Sequence, residues 1–222
     1  MGAFSQNVRY GLRMLGKNPG FTAAAVLCLA LGIGATTAIF SVVNAVLLRQ
    51  LPYANSLRLV RVFTEFPNFP NGGLRHFWVS PPEFLDLRRD ATTFQAIEGW
   101  VNQGANLAGS SEPVRSTMSF VSGGMLQMLG VNPMMGRLLN PQDDAPNAPL
   151  TAVLSYGLWQ RAYGGDAGIL GRDIRLNGNA CTVVGVMPAG FTFPPGVNEP
   201  AELWTPLQLT PQTLTQRGGH FL

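Results

Sequence analysis

Residues Asn18 to Leu48 form an uncharged run of 31 residues near the N-terminus, bounded by Lys17 and Arg49. Within it, Phe21 to Leu48 is almost wholly apolar or small. As a helix this inner part is about 40 Å long, enough to cross a bilayer core of roughly 30 Å with tilt or interfacial ends. The run is about twice the usual length of a signal-peptide core, and Leu47-Leu48-Arg49-Gln50-Leu51 offers no small-x-small cleavage pattern. An uncleaved membrane helix over 21–48 is therefore expected, with the rest of the chain on one side of the membrane.

Charge is laid out to match. The formal net charge is +3. Arg9, Arg13 and Lys17 account for all of it, because residues 1–20 hold no acid and the remainder is balanced. The basic pI thus gives no argument for a nucleic-acid partner. It reports a segment suited to anionic lipid headgroups. Phe4, Val8, Leu12 and Leu15 share one helical sector, and Arg9, Arg13 and Lys17 share the opposite one. That phasing predicts an amphipathic helix in the membrane interface over residues 1–20. Asn18-Pro19-Gly20 is expected to break the chain before the span. Basic residues on the two sides of the span are nearly tied in number, and the amphipathic helix tips the N-terminus towards the cytoplasm.

The span has features a plain anchor does not need. Ala30, Gly34 and Ala38 recur every fourth residue, a small-residue face that lets another helix approach closely. Thr37, Ser41 and Asn44 add a polar stripe, better placed against protein than lipid. The expected seam is therefore Ala30, Gly34 and Ala38, with a partner helix from elsewhere.

Residues 49–222 read as a mixed α+β domain of short, unevenly spaced elements. Leu57–Phe66 is expected to be a strand. Ser80-Pro81-Pro82-Glu83 is a capping box that opens a helix to about Asp90. Strand and turn over 94–109, a strand over Val114–Val121 and a short helix over Ser122–Leu129 follow. Thr151–Leu154 reads as a buried strand, and Tyr156–Tyr163 as a helix stopped by Gly164-Gly165. Asn177-Gly178 between Asp173–Leu176 and Cys181–Val186 is a strong hairpin signal. Leu203-Trp204-Thr205-Pro206-Leu207 closes the segment.

Chemistry-bearing patterns are sparse. His76 and His220 lack neighbours at metal-ligand spacing. Asp143-Asp144 reads as a helix cap or a solvated turn. Neither a Gly-Lys-Ser/Thr phosphate loop nor a nucleophile motif is present, and Gly32-Ile33-Gly34 lacks the third glycine and the strand of a dinucleotide loop. Met118, Met125, Met128, Met134 and Met135 could offer thioethers to Cu(I), though such spacing more often fills a core. Cys28 and Cys181 are too differently placed to pair. No catalytic, cofactor-binding or metal-binding residue is expected, and the chain is not expected to be an enzyme. A transport component and a membrane-tethered sensor or adaptor both fit these residues.

A resemblance narrows the choice. Val8-Arg9-Tyr10-Gly11-Leu12-Arg13, Lys17-Asn18-Pro19-Gly20-Phe21-Thr22 and Leu29-Ala30-Leu31-Gly32-Ile33-Gly34-Ala35 resemble the start of MacB-type ABC transporter permeases, in particular the duplicated orphan permeases of acidobacteria. Val153 to Arg161, Leu176-Asn177-Gly178 and Val183 to Pro188 are similar to the same family's periplasmic core domain. The resemblance implies a cytoplasmic N-terminus in the inner membrane and a periplasmic core domain over 49–222. That domain would be a porter-like subdomain with an inserted sabre-like subdomain at about 100–208. It also implies a partner ABC ATPase that binds the ATP, a second permease copy in a homo- or heterodimer and, in Gram-negative relatives, either export through a periplasmic adaptor and an outer-membrane channel or the handing onward of lipoproteins. The family's later spans are missing from these 222 residues, so a fragment of a longer permease is expected.

Overall fold

The structure is a computed structural model and describes residues 2–44, 51, 53–70, 72–108 and 113–222. It divides into two compact units, residues 1–50 and 51–222.

In the first unit, α1 (Gly2–Lys17) and α2 (Pro19–Val43) are separated by one non-helical residue, Asn18. The expected break is narrower than the sequence suggests: Pro19 and Gly20 already belong to α2. Proline suits the first helical turn because its missing N–H has no intrahelical partner there. The Thr22 hydroxyl donates to the carbonyls of Leu15 (2.7 Å) and Asn18 (3.0 Å), tying the end of α1 to the start of α2. α2 has 25 residues and a mean hydropathy of 2.3 over its most apolar stretch, none of which is buried among the described residues. The expected span continues to Leu48, but residues 45–48 lie outside the described residues, as do the side chains of Phe4, Val8 and Leu12.

The second unit confirms a mixed α+β domain. Its strands are β1 (Thr64–Phe66), β2 (Leu74–Phe77), β3 (Trp100–Ala108), β4 (Val114–Val121), β5 (Met135–Gly136), β6 (Thr151–Leu154), β7 (Asp173–Leu176), β8 (Asn179–Val186) and β9 (Leu203–Pro206). Its helices are α3 (Pro81–Asp90), α4 (Met125–Met128) and α5 (Tyr156–Tyr163). In the larger sheet the order is β5-β8-β6-β9-β4-β3-β7, and β7 also pairs with β8. Six strands therefore close into a ring, from Trp100 to Pro206, with β5 as a short appendage. The Asn177-Gly178 turn helps close it. Both residues take positive φ (50° and 88°), as a tight hairpin requires. Asn177 then exchanges two hydrogen bonds with Asn106 of β3, accepting at Oδ1 from its N–H (2.8 Å) and donating its own N–H to the Asn106 carbonyl (2.9 Å).

Side-chain alternation splits the apolar residues into two cores. Leu107, Met118, Leu154, Ile174, Val183 and Leu203 face the first, which Leu158 and Trp159 of α5 join. Val121, Val153 and Trp204, the alternate residues of the same strands, face the second, with Leu126, Met187 and Phe193.

Outside the ring lies a smaller layer. β1 and β2 form a hairpin, α3 begins at the expected capping box on Ser80 and Glu83, and Val79 exchanges two 3.0 Å backbone hydrogen bonds with Leu222. The expected strand over 57–66 is corrected. Asn55 takes a left-handed conformation (φ 55°), so 56–58 coil into a 3₁₀ turn. Only 64–66 pair with a neighbour. In the stretch between, the Arg61 guanidinium lies 4.7 Å from the Phe63 ring centroid and 4.9 Å from that of Trp100. The short helix expected over 122–129 is also trimmed, to Met125–Met128. Gly123 and Gly124 press against the Asn140 carbonyl and the Glu98 carboxylate, where any Cβ would clash.

Candidate functional site

The residues expected to form a packing seam lie on the apolar helix α2. Ala30, Gly34 and Ala38 are exposed, and a Cβ built at Gly34 meets no atom within 4 Å. Leu27, Leu31 and Ile39 are also more than half exposed. Such a surface is at home only in lipid or against other helices. Arg9, Arg13 and Lys17 are all exposed on α1. Since 25 helical residues measure about 37 Å, α2 is long enough to cross a bilayer core.

In the second unit, a groove of about 1080 Å³ opens between β3, β4, the start of α5 and the 188–202 loop. At its wall, the Glu202 carboxylate accepts hydrogen bonds from Ser116 Oγ (2.7 Å) and Arg161 Nη2 (2.7 Å). Those partners leave Glu202 a fixed, ion-paired group that braces the start of β9 against α5. The groove is open and mixed in polarity.

The titratable residues singled out in the sequence go elsewhere. Asp143-Asp144 is corrected from a solvated turn. Asp143 is 8% exposed and held by both Nη atoms of Arg137, at 2.6 and 2.8 Å. Burial alone would raise its carboxyl pKa, but Arg137 and the Asn140 N–H hold it below the ordinary value. Asp144 is pushed up by burial, against hydrogen bonds from the Gln208 and Gly123 amides. His220 Nδ1 lies 3.1 Å from the Trp78 carbonyl and 3.4 Å from Glu83 Oε2. Its ring packs edge-on against Phe66. His76 packs on Phe63.

The methionines do not gather. Met118 and Met135 pack with the first core and Met125 and Met128 with the second, while Met134 is 41% exposed. Two opposite faces of one sheet thus divide the cluster that looked like a thioether site.

Cys181 is fully buried in the first core, and burial, with Asp173 nearby, pushes its thiol up to about 12. Because the folded value lies above the unfolded one, its contribution to stability is present at neutral pH and is lost between about 8.5 and 12, where only the unfolded chain ionises. Maleimide is expected to modify Cys181 at pH 7 only after denaturation. Mass-spectrometric detection of the adduct in the folded protein at a rate like that of a free thiol would contradict this placement.

The family model described as the MacB-like periplasmic core domain matches residues 22–221. No curated protein matches. Among solved structures, the periplasmic region of MacB from Actinobacillus actinomycetemcomitans is similar at 16% identity and a TM-score of 0.49, covering 67% of this chain. This chain spans 64% of that one. The extracellular domain of the noncanonic ABC-type transporter YknZ from Gram-positive bacteria is similar at 14% identity and a TM-score of 0.44, with 65% of this chain and 76% of that one covered. A domain of a permease protein from Porphyromonas gingivalis gives 19% and 0.43, over 68% of this chain and 60% of that one. The family model spans both the apolar helix and the sheet-rich domain, almost from end to end, and so the chain belongs to the family of MacB-like periplasmic core domains.

Proposed function

We propose that this chain is part of the permease subunit of an ABC transporter of the MacB mechanotransmission type. In this reading the segment 21–48, most of it α2, spans the inner membrane, residues 1–20 stay on the cytoplasmic side with Arg9, Arg13 and Lys17 among lipid headgroups, and residues 49–222 stand in the periplasm. The six-stranded ring falls within the sabre-like region at about 100–208, and the outer layer around α3 belongs to the porter-like part. A partner ATPase binds and hydrolyses ATP in the cytoplasm, and a second permease copy completes a dimer. Closure of the ATPase tilts the spanning helices, and the periplasmic domain amplifies that tilt to drive export, with an adaptor and an outer-membrane channel as further partners. The observation that carries this reading is the family match across residues 22–221 together with an uncovered apolar helix of 25 residues.

The test is isolation of the tagged chain from crosslinked native membranes. Recovery of an ABC ATPase at stoichiometric yield is expected. Recovery of soluble or sensory partners with no ATPase would overturn the transport reading in favour of a tethered sensor or adaptor.

Within that assembly Ala30, Gly34 and Ala38 are the helix-packing seam. Gly34→Leu adds a branched side chain where a second backbone must come close, and is expected to cut helix–helix crosslinking about fivefold. Unchanged crosslinking yield would place the contact on another face of α2.

A further inference from the structure

After Tyr53 and Leu59, which pack on the second core, the chain runs out to β1, returns to the ring at 97–99 and leaves it again at 206–208; a series of polar contacts, continued through the Ser122–Gly123 peptide, joins the last two crossings. Arg88 of α3 lies 3.3 Å from Glu98, whose carboxylate is only 6% exposed. Glu98 also accepts a hydrogen bond from Ser122 Oγ, and Ser122 accepts one from the Gly99 N–H (2.9 Å). The next residue, Gly123, donates its N–H to Asp144 Oδ2 (3.3 Å), and Asp144 Oδ1 takes the Gln208 N–H (2.6 Å). Gln208 sits at φ 43°, where the chain turns out of the ring, and its side-chain amide donates to the carbonyls of Asp143 and Ala148, both at 3.0 Å. Asp143 in turn is clamped by Arg137. Beyond the crossing the outgoing chain returns to α3 through Arg217 and Asp86, 2.9 Å apart.

We propose that the Arg88–Glu98–Ser122–Gly123–Asp144–Gln208 series is a clasp that makes the outer layer and the strand ring move as one rigid body, with Asp144 as its closing link. Neither apolar core includes a residue of β1, β2 or α3, so the crossings are where relative motion would begin. Buried polar groups that satisfy one another specify a single arrangement, and removing one strands its partners. Asp144 is the link whose loss leaves two amides without acceptors, one just after β4 and one where the chain leaves β9 for the outer layer. The inference stands apart from the transport reading, because it concerns the rigidity of the domain whatever the domain serves.

The test is a distance measurement on the full chain in nanodiscs. Spin labels go on two exposed positions, Leu85→Cys in α3 and Ala180→Cys in β8, in a Cys28→Ser background; the native Cys181 is buried. One narrow distance distribution is expected, and Asp144→Ala should broaden it about twofold or more while leaving the α5 amides protected from hydrogen exchange. Gln208→Ala keeps the Asp144 contact to the backbone and should broaden it to a smaller extent, which covers the case in which Asp144→Ala fails to fold. A distribution already broad in the parent, or one unchanged in width in either variant, would overturn the proposal.

Discussion

Trp204→Ala is expected to lower the stability of the folded domain by about 3–5 kcal/mol, the range for emptying a large aromatic site in a core. Trp204 is fully buried on β9. It stands across from Val153 of β6 on one side and Ser119 of β4 on the other. Its ring meets Phe191 edge-on at 5.2 Å. Its position joins the two halves of the ring, so the lost volume cannot be refilled by moving one strand alone. The indole N–H has no hydrogen-bond partner among the described residues. Trp204→Phe therefore forfeits packing and no polar contact, and should cost about 1–2 kcal/mol. Urea unfolding of the two variants in detergent, followed by near-ultraviolet circular dichroism, measures both. Equal losses would mean that the indole nitrogen matters in a way this packing does not account for.

Gly136→Ala is expected to cost about 3 kcal/mol, adding left-handed strain of about 1–2 to an overpacking penalty of similar size. Gly136 has φ 71° and lies under the Val184 carbonyl and the Leu170 side chain, in the two-residue strand β5 that lies along β8. Gly178 is the internal control. Its φ is 88°, yet a Cβ there meets open space, so Gly178→Ala should cost only the conformational part, about 1 kcal/mol. If the two substitutions cost the same, β5 does not press on β8 as closely as described.

Much of the second unit was legible because its signals are local. Ser80 and Glu83 complete the capping box they spell, Tyr156–Tyr163 is the helix that Gly164 and Gly165 end, and Asn177-Gly178 makes the tight turn. Val114–Val121 and Thr151–Leu154 are strands with the expected bounds. What sequence reasoning missed depends on partners distant in the chain. Residues 59–63 are as β-prone as 64–66, but only the latter meet a neighbouring strand. Closure of the ring rests on pairing β3 with β7, some seventy residues apart, which no periodicity announces. The roles of Asp143 and Asp144 were missed for the same reason. A carboxylate pair in a Pro/Asn-rich loop looks solvated until Arg137, Gly123 and Gln208 come to it in space. The signal present in the sequence was the turn-forming context, which gave the loop and not its buried contacts. The four-residue repeat of small side chains on α2 marks one helical face from spacing alone; the packing of that face against another helix is part of the proposal.

The account rests on α2 crossing a membrane with the second unit on the outer side, and cysteine accessibility tests that most directly. Lys17→Cys and Ala180→Cys, each in a Cys28→Ser background, are exposed to a membrane-impermeant maleimide in spheroplasts, where Cys181 stays buried. The account predicts rapid labelling at position 180 in intact spheroplasts and labelling at position 17 only after the membrane is permeabilised. Labelling at both positions before permeabilisation, or at 17 and not 180, would contradict it.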